Sequence, residues 1–309
     1  MAGKGRMMDF SIIIATYDRV DSLRRLLRGI EKYFGGFDIT HEVIVANNAR
    51  DEKVAREYTR LVGEFINSGR VIFREVREPV AGKCRAQNAA ILQAKGLVLA
   101  FFDDDVEITP QWLSVAAEFF QQKHFDAMQG PILMPPEMEQ NQALLRAQQR
   151  FRTINFVKYR PGVTEIKTLT GANMAVRREV FGRIGYFNEE LGPGRSGISE
   201  DVEFAQRLLR SGGRIGYEPR AGVYHRVDWS RLTEEFFRER HEQQGRSRLI
   251  YKKQSLLSIV PNFVRSVWTF GWYSLVGNER KKYRAKGRYF HYRAMLAVKA
   301  TRLIRGRQP

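Results

Sequence analysis

The sequence predicts an α/β protein with a doubly wound, mostly parallel sheet, followed by a basic and mainly helical C-terminal extension. Three observations support this fold class. Short apolar runs of strand length alternate with segments of helical periodicity over the first 125 residues. Polar or acidic residues follow directly after several of these runs, as they do at the ligand-binding edge of such sheets. The last 67 residues then change in composition to a basic, aromatic-rich pattern.

The predicted elements alternate in chain order. Apolar runs predict strands at 10–15, 42–46, 71–73 and 97–102. Helical spacing predicts helices that begin after Asp21, after Asn48 and after Gly82. Beyond residue 125 the pattern loosens, with strands or strand ends predicted at 126–130, 167–171, 173–176, 214–218 and 221–225. Two further helices are predicted there, at 178–182 and after Ser199, which we expect to cap its helix.

The composition excludes several classes of protein. With 43% hydrophobic residues, the 309-residue chain can bury a sizeable core. The one cysteine, Cys84, excludes an intrachain disulfide and fits a reducing compartment. The first ten residues carry no apolar segment typical of a secretory signal. Because no run of 18 apolar residues occurs, we expect no conventional transmembrane helix.

Three consecutive aspartates, Asp103, Asp104 and Asp105, follow the apolar run at 97–102. Three such carboxylates repel one another and lose hydration on burial unless a cation neutralises them. Mg²⁺ and Mn²⁺ prefer oxygen ligands, commonly carboxylates together with phosphate oxygens. The triplet therefore predicts a divalent cation site at the end of a buried strand. The alternative is a solvated acidic turn before the helix that starts near Thr109.

Two other polar residues indicate little by themselves. Asp201 lies beside Glu200 in the first turn of a predicted helix, where the helix dipole alone favours carboxylates. His225 ends a strand-like run, and a single histidine in such a place is more often structural than a ligand. Their meaning depends on the order of the segments around them.

That order resembles family 2 glycosyltransferases. The matching segments of the first half are 11–19 (SIIIATYDR), 42–48 (EVIVANN), 78–88 (EPVAGKCRAQN) and 103–105 (DDD). Those of the second half are 171–178 (GANMAVRR), 185–188 (GYFN), 199–201 (SED) and 217–219 (YEP) with His225. The resemblance covers roughly residues 9–230. It implies a GT-A type nucleotide-sugar-binding domain over 8–230, with 231–309 as the basic, aromatic-rich helical extension.

The resemblance also implies roles for individual residues. On the donor side, the residues implied to bind the nucleotide-sugar are Thr16, Tyr17, Asp18, Asn47, Arg85, Asp103 and Asp104. Asp105 and His225 are implied as metal ligands, Asp201 as the catalytic base, and Glu200 and Asn173 as residues on the acceptor side. Asn47 stands where the family usually has an aspartate that accepts the uracil N3–H, and Gln87 stands where it usually has an arginine.

The implied activity is metal-assisted, inverting transfer of a sugar. The donor would be a nucleotide-sugar, with UDP favoured, the acceptor a hydroxyl on a glycan or lipid-linked molecule, and the cofactor Mn²⁺ or Mg²⁺. An alternative enzyme is a sugar-nucleotide nucleotidyltransferase, although no Gly-rich phosphate loop with Lys or Arg follows the first strand. From a different class, a basic nucleic-acid-binding protein is the other alternative.

The C-terminal segment is a separate electrostatic region. From residue 243 to the end there are sixteen Lys and Arg residues against one acid, Glu279, which leaves a net charge of +15. Within it, residues 255–277 are rich in apolar and aromatic side chains, with Arg265 as the one charge. This pattern predicts a helix in the interface of an anionic membrane, with the protein peripheral at the cytoplasmic face. The alternatives are a pair of core helices or a nucleic-acid surface, and we expect no nucleic acid because the body resembles an enzyme with its own anionic substrate.

Overall fold

The computed structural model describes residues 8–36, 38–69, 71–153 and 156–305. These residues form two compact units. The first runs through Pro135 and includes Phe156–Glu189 and Glu200–Arg226, and the second consists of Pro136–Asn155, Glu190–Ser199 and the chain from Val227 onward. The domain boundary expected near residue 230 stays a prediction.

The first unit contains the strands and most of the shorter helices. Its strands are β1 (Phe10–Thr16), β2 (His41–Asn47), β3 (Ile72–Arg77), β4 (Val98–Asp103), β5 (Val106–Ile108), β6 (Ala127–Gln129), β7 (Ile132–Leu133), β8 (Glu165–Ile166), β9 (Asn173–Arg177), β10 (Ile215–Tyr217) and β11 (Val223–His225). Its helices are α1 (Val20–Phe34), α2 (Glu52–Ile66), α3 (Lys83–Gln93), α4 (Trp112–Gln122), α7 (Arg178–Ile184) and α8 (Glu200–Arg210).

The second unit is helical. It contains α5 (Pro136–Glu139), α6 (Gln142–Phe151), a 3-10 turn at Trp229–Arg231, α9 (Glu234–Tyr251), α10 (Leu256–Leu275) and α11 (Glu279–Arg305). Phe151 of α6, Phe237 of α9 and Tyr283 of α11 meet in one aromatic cluster, with ring centroids 5.5–6.1 Å apart. This cluster packs α6 against α9 and α11.

The main sheet has the strand order β3-β2-β1-β4-β9-β6-β10-β8. The neighbours from β3 to β4 are parallel, whereas β9 runs antiparallel to both β4 and β6. A second sheet has the order β5-β11-β7. The predicted mixed α/β architecture, with a mostly parallel central sheet and a helical C-terminal part, is confirmed.

The central strands are buried on both faces, which explains their unbroken apolar runs. In β1, Ile12 and Ile14 contribute to the core on one face, together with residues of α1, α2 and α4. Ile13 points to the opposite face and packs in the core with residues of α3, α7 and α8. This alternation is the period of two expected of a strand. The sheet therefore lies between two helical layers.

Several predicted bounds were wrong. The third strand is longer than its apolar run, because β3 is an edge strand where the charged Arg74 and Glu75 are tolerated. The strand end predicted at 167–171 is replaced by β8 at Glu165–Ile166. Ser199 has φ +83°, in the left-handed region and not in the extended conformation usual for a helix cap.

Candidate active site

The site begins where β1 and β4 end side by side. In the sheet, β2 and β3 lie on one side of β1, and β4 lies on the other side, so the direction in which strands are added reverses between β1 and β4. Ligands of open α/β sheets bind outside the carboxyl ends of strands at such a point. Here Ala15 pairs with Asp103, and Thr16 ends β1 beside the aspartate triplet.

Asp104 is the most buried aspartate of the triplet, with 5% of its surface exposed. The Thr16 hydroxyl lies 2.8 Å from Asp104 Oδ2, and the guanidinium of Arg19 lies 3.1 Å from Asp104 Oδ1. The same Thr16 hydroxyl is 2.9 Å from the hydroxyl of Tyr58, which accepts the Arg19 backbone N–H at 2.7 Å. Burial raises the pKa of Asp104 to about 6, although Arg19 opposes the shift. Asp104 therefore helps to order the end of β1.

Asp103, Asp105 and His225 converge. One ligand atom from each of them lies within 4.8 Å of the other two. His225 is placed there by the antiparallel pairing of β11 with β5, in which it lies opposite Val106. Its Nε2 atom is 3.3 Å from Asp105 Oδ1.

The tautomer of His225 gives a test of metal fit. The Nδ1 atom of the ring is 2.9 Å from the carbonyl oxygen of Arg226, so Nδ1–H donates there and Nε2 is the ring nitrogen that faces Asp105. An Nε2 atom that faces a carboxylate oxygen can either donate a proton to it or share a cation with it. Two carboxylates and one imidazole are a suitable ligand set for a divalent cation, and the oxygen majority favours Mn²⁺ or Mg²⁺. The residues present therefore fit the metal that the sequence implied.

Lys83 connects this cluster to the start of α8. Its Nζ atom lies 2.6 Å from Asp103 Oδ1 and 3.4 Å from Glu200 Oε1. Burial alone would lower the pKa of Lys83, but the two carboxylates outweigh it and keep that pKa well above the usual range. Lys83 in turn outweighs the burial of Asp103 and keeps the pKa of that carboxyl below its ordinary value.

Asp201 lies in the first turn of α8, next to Glu200. Asp201 Oδ2 accepts the backbone N–H of Gly171 at 3.1 Å, and Oδ1 accepts the backbone N–H of Val202 at 2.7 Å. Burial raises the pKa of Asp201 to about 6, and the nearby Glu200 adds to this shift. A carboxyl group with that pKa is ionised at neutral pH and still basic enough to accept a proton.

Comparison with known proteins identifies the family. A model described as "Glycosyl transferase family 2" matches residues 11–185, which is more than half of the chain. The chain belongs to glycosyl transferase family 2. The matched span includes β1, the aspartate triplet and Lys83.

Curated relatives of this family 2 glycosyltransferase share part of its sequence. The uncharacterized protein y4gI of Sinorhizobium fredii is 27% identical over 241 residues, which are 73% of this chain and 25% of that protein. Poly(ribitol-phosphate) beta-N-acetylglucosaminyltransferase TarS of Staphylococcus aureus is 27% identical over 123 residues, 40% of this chain and 20% of TarS. The chain thus spans about a quarter or less of the length of these relatives.

Solved structures of similar proteins show the same fold. Mannosyltransferase PcManGT from Pyrobaculum calidifontis, in complex with GDP-Man and Mn²⁺, has a TM-score of 0.55 at 16% identity, over 96% of this chain and 76% of its own. S. aureus TarS 1-349 in complex with UDP-GlcNAc also has a TM-score of 0.55 at 16% identity, over 95% of this chain and 92% of its own. The GT-A fold expected from the sequence is confirmed. The family match supports neither the nucleotidyltransferase nor the nucleic-acid-binding alternative.

The remaining donor-side residues of the family 2 domain lie in different settings. Tyr17 is 46% exposed, and Asp18 is also exposed, directly after the end of β1. Both are accessible to a ligand. Arg85 on α3 pairs instead with Glu189 at 2.6 Å and approaches Glu78 at 3.8 Å. Its predicted position near the nucleotide stays a prediction.

Asn47 and Asn173 are both fully buried, and their amide groups are already bonded. Their implied roles, Asn47 at the nucleotide and Asn173 on the acceptor side, stay predictions. Asn47 donates to Ala55 and Glu75, and its amide oxygen accepts from Ala49 and Arg77. A uracil N–H would have to displace one of these donors.

The amide of Asn173 ties together three segments of the core. It accepts the indole N–H of Trp112 at 2.8 Å and donates to the carbonyl oxygens of Pro131 and Ala221, each at 2.9 Å. Gly130 is required beside it, because a Cβ atom there would lie 1.9 Å from the Ala221 carbonyl oxygen. Asn173 therefore joins these core segments, and its implied place on the acceptor side stays a prediction.

Sequence reasoning missed Lys83, Arg19 and Tyr58 as parts of the site. A signal existed for the first, since a lysine in the first turn of a helix opposes the helix dipole and suggests a nearby anion. Arg19 could have been suspected because it lies three positions after Thr16, the last residue of β1, at the predicted ligand-binding edge of the sheet. Nothing in the local pattern distinguishes Tyr58 from an ordinary core residue of α2.

Proposed function

We propose that the protein is a metal-assisted, inverting glycosyltransferase that moves a sugar from a nucleotide-diphosphate donor to a hydroxyl of a glycan or lipid-linked acceptor. The observation that carries this proposal is the continuous line of contacts from Asp103 through Lys83 to Glu200, which is adjacent to Asp201. This line of contacts supports a cation at Asp103, Asp105 and His225 that acts together with a base at Asp201. This is the pair of groups that sugar transfer from a diphosphate needs.

The donor would lie over the ends of β1 and β4. Tyr17, with its half-exposed ring, is suited to stack on a base, and Asp18 is accessible beside it. When bound at Asp103, Asp105 and His225, a divalent cation would stabilise the negative charge of the departing diphosphate. A UDP-sugar is the favoured donor, because TarS, whose structure contains UDP-GlcNAc, is similar to this chain in sequence as well as in fold, whereas PcManGT with GDP-Man is similar in fold.

Asp201 would act as the general base. Its carboxylate takes the proton of the acceptor hydroxyl while the acceptor oxygen forms a bond to the anomeric carbon and the bond from that carbon to the diphosphate oxygen breaks. The backbone N–H groups of Gly171 and Val202 fix the orientation of the carboxylate. The base is therefore positioned before the acceptor substrate binds. A single displacement of this kind inverts the anomeric centre.

A donor screen tests the proposal. The purified full chain is incubated with a panel of UDP- and GDP-sugars and Mn²⁺, and release of the nucleoside diphosphate is measured, since slow donor hydrolysis needs no knowledge of the acceptor. We expect Mn²⁺-dependent hydrolysis of at least one donor and its loss in Asp105→Ala. Release of pyrophosphate from a nucleoside triphosphate and a sugar phosphate, with no donor hydrolysis, would establish the nucleotidyltransferase alternative instead.

A further inference from the structure

Helix α10 presents an apolar face to solvent. On one side it packs against α11, with Ile259 and Ser266 buried and the ring of Phe263 stacked on Tyr289 at 5.7 Å. Buried residues of a soluble helix normally account for its apolar face. In α10 the apolar residues continue around the helix.

The exposed apolar residues form a stripe opposite the packed face. Leu257 and Leu275 are 89% and 86% exposed, and Trp268 is 66% exposed. These three residues, with Val260 and Val264, repeat at helical spacing on one side of α10. From Leu257 to Leu275 the stripe is about 27 Å long at the rise of an α-helix. A contiguous apolar surface of this kind marks a binding face for a protein or a membrane.

Basic side chains flank the stripe at both ends. A surface cavity at the start of α10 is lined by Lys252, Lys253, Lys299 and Arg302, together with Ser255. Arg280, Lys281 and Lys282 follow the other end of the helix. The charge around the stripe is thus predominantly positive, with Glu279 as the acid beside Arg280, and this complements an anionic surface.

We propose that α10 and these basic residues dock the protein on an anionic lipid bilayer, with the helix lying in the interface. The exposed Trp268 and Trp272, stacked with centroids 6.1 Å apart, are of the residue type enriched at membrane–water interfaces. Among the described residues, none of the helices combines the length and hydropathy of a transmembrane span. A second copy of the chain is a poorer occupant, because its own +15 segment would repel this one.

Vesicle flotation tests this docking surface with the full chain. The probes are vesicles of phosphatidylcholine alone and of phosphatidylcholine mixed with phosphatidylglycerol, across a salt series. We expect binding to the anionic vesicles, weakened by salt but not abolished, because insertion of apolar side chains is not screened. Leu257→Glu/Val264→Glu should lower the partition coefficient about tenfold or more, because in the wild type both apolar side chains transfer from water into the bilayer.

A second variant, in which two lysines are reversed in charge, separates the electrostatic contribution to membrane binding from the apolar one. Lys252→Glu/Lys253→Glu should lower binding about 25-fold or more on anionic vesicles, because each basic residue near such a surface contributes about fivefold. The matched controls are Leu92→Glu, which alters an exposed leucine on α3, and Arg56→Glu/Arg60→Glu, which reverses two exposed charges on α2. Both controls should float like the wild type, and every variant should keep the wild-type rate of donor hydrolysis.

Three results would overturn the proposal. The first is equal flotation of the Leu257→Glu/Val264→Glu variant and the wild type. The second is a self-associating chain that shows no vesicle binding and becomes monomeric in that variant, which would identify a second copy as the occupant. The third is binding to RNA with no binding to either vesicle. None of these depends on the glycosyltransferase proposal, because donor hydrolysis is measured separately.

Discussion

Replacing Asp201 with asparagine should reduce catalysis and change how the stability of the protein depends on pH. Asn has nearly the same shape as Asp, but its single amide oxygen can accept only one of the two N–H groups of Gly171 and Val202. The lost bond adds a cost that does not depend on pH, so the test of the pKa is the change of the stability difference with pH. Asn cannot accept a proton from the acceptor hydroxyl. We therefore expect turnover to fall about 10²-fold or more, the scale for losing a general base, while donor binding is retained.

The stability effect follows from the raised pKa of Asp201. The ordinary value of 3.8 applies to the unfolded chain, whereas the pKa in the folded protein is about 6. The folded state therefore binds the proton more tightly, and stability decreases as the pH rises from about 4 through about 6. A shift of about two units corresponds to up to about 3 kcal/mol of unfolding free energy lost above pH 7. Asn does not ionise and avoids this loss.

The assay is chemical denaturation of both proteins between pH 4 and pH 8, together with turnover at each pH. The difference in unfolding free energy between Asp201→Asn and the wild type should shift in favour of the variant by up to about 3 kcal/mol across this range. In the wild type, kcat/KM should rise with pH through about 6 as the base ionises. Glu203→Gln is the matched control, since Glu203 lies on the same helix and pairs with Arg207 at 2.7 Å.

Two results would refute this reasoning. If Asp201→Asn turned over at the wild-type rate, the carboxylate would serve only the N-terminus of α8. If the stability difference were independent of pH, Asp201 would not have a raised pKa in the folded protein. The first result would remove the base from the proposed mechanism, and the second would remove the electrostatic argument for it.

Two other substitutions test the rest of the site. Asp105→Ala should abolish Mn²⁺-dependent donor binding and leave the fold intact. Calorimetric titration of the donor with and without Mn²⁺ measures this. The control Glu64→Ala, which removes an exposed carboxylate of α2, should change neither donor binding nor the fold. Unchanged Mn²⁺-dependent affinity would reject Asp105 as a ligand. Lys83→Met should lower the unfolding free energy at pH 8 by about 3 kcal/mol, because Asp103 and Glu200 lose their shared cation. The loss should shrink at pH 4 as carboxylates become protonated, and a loss equal at both pH values would contradict the electrostatic role of Lys83.

Local features of the sequence were sufficient to predict the central parallel strands of the sheet. The apolar runs of β1, β2 and β4 are buried on both faces, so their boundaries could be read from hydrophobicity alone. Edge strands such as β3 were placed less well, because one side of an edge strand accepts charged residues. The position of the aspartate triplet at the end of β4 followed directly from the end of its apolar run.

The assembly of the site was less predictable. Asp105 and His225 are 120 positions apart and meet because β5 pairs with β11, which no local pattern specifies. Their grouping was expected only because the order of motifs resembles a known family. Resemblance could not show that the amides of Asn47 and Asn173 are already bonded in the core, because motif matching reports residue type and not surroundings.

The C-terminal helices show which properties the sequence determines and which the tertiary structure determines. The sequence by itself determined the +15 charge after residue 243 and the apolar character of 255–277, because both are sums over residue types. It could not determine which side of α10 is buried, since a helix that is apolar all round has no distinct face to pack. Only the tertiary structure decided this, by packing Ile259 and Ser266 against α11 and leaving Leu257 and Trp268 in solvent. In the same way, the sequence specified three carboxylates, and the fold decided that Lys83 and Arg19 lie against them, because charge balance depends on positions in space.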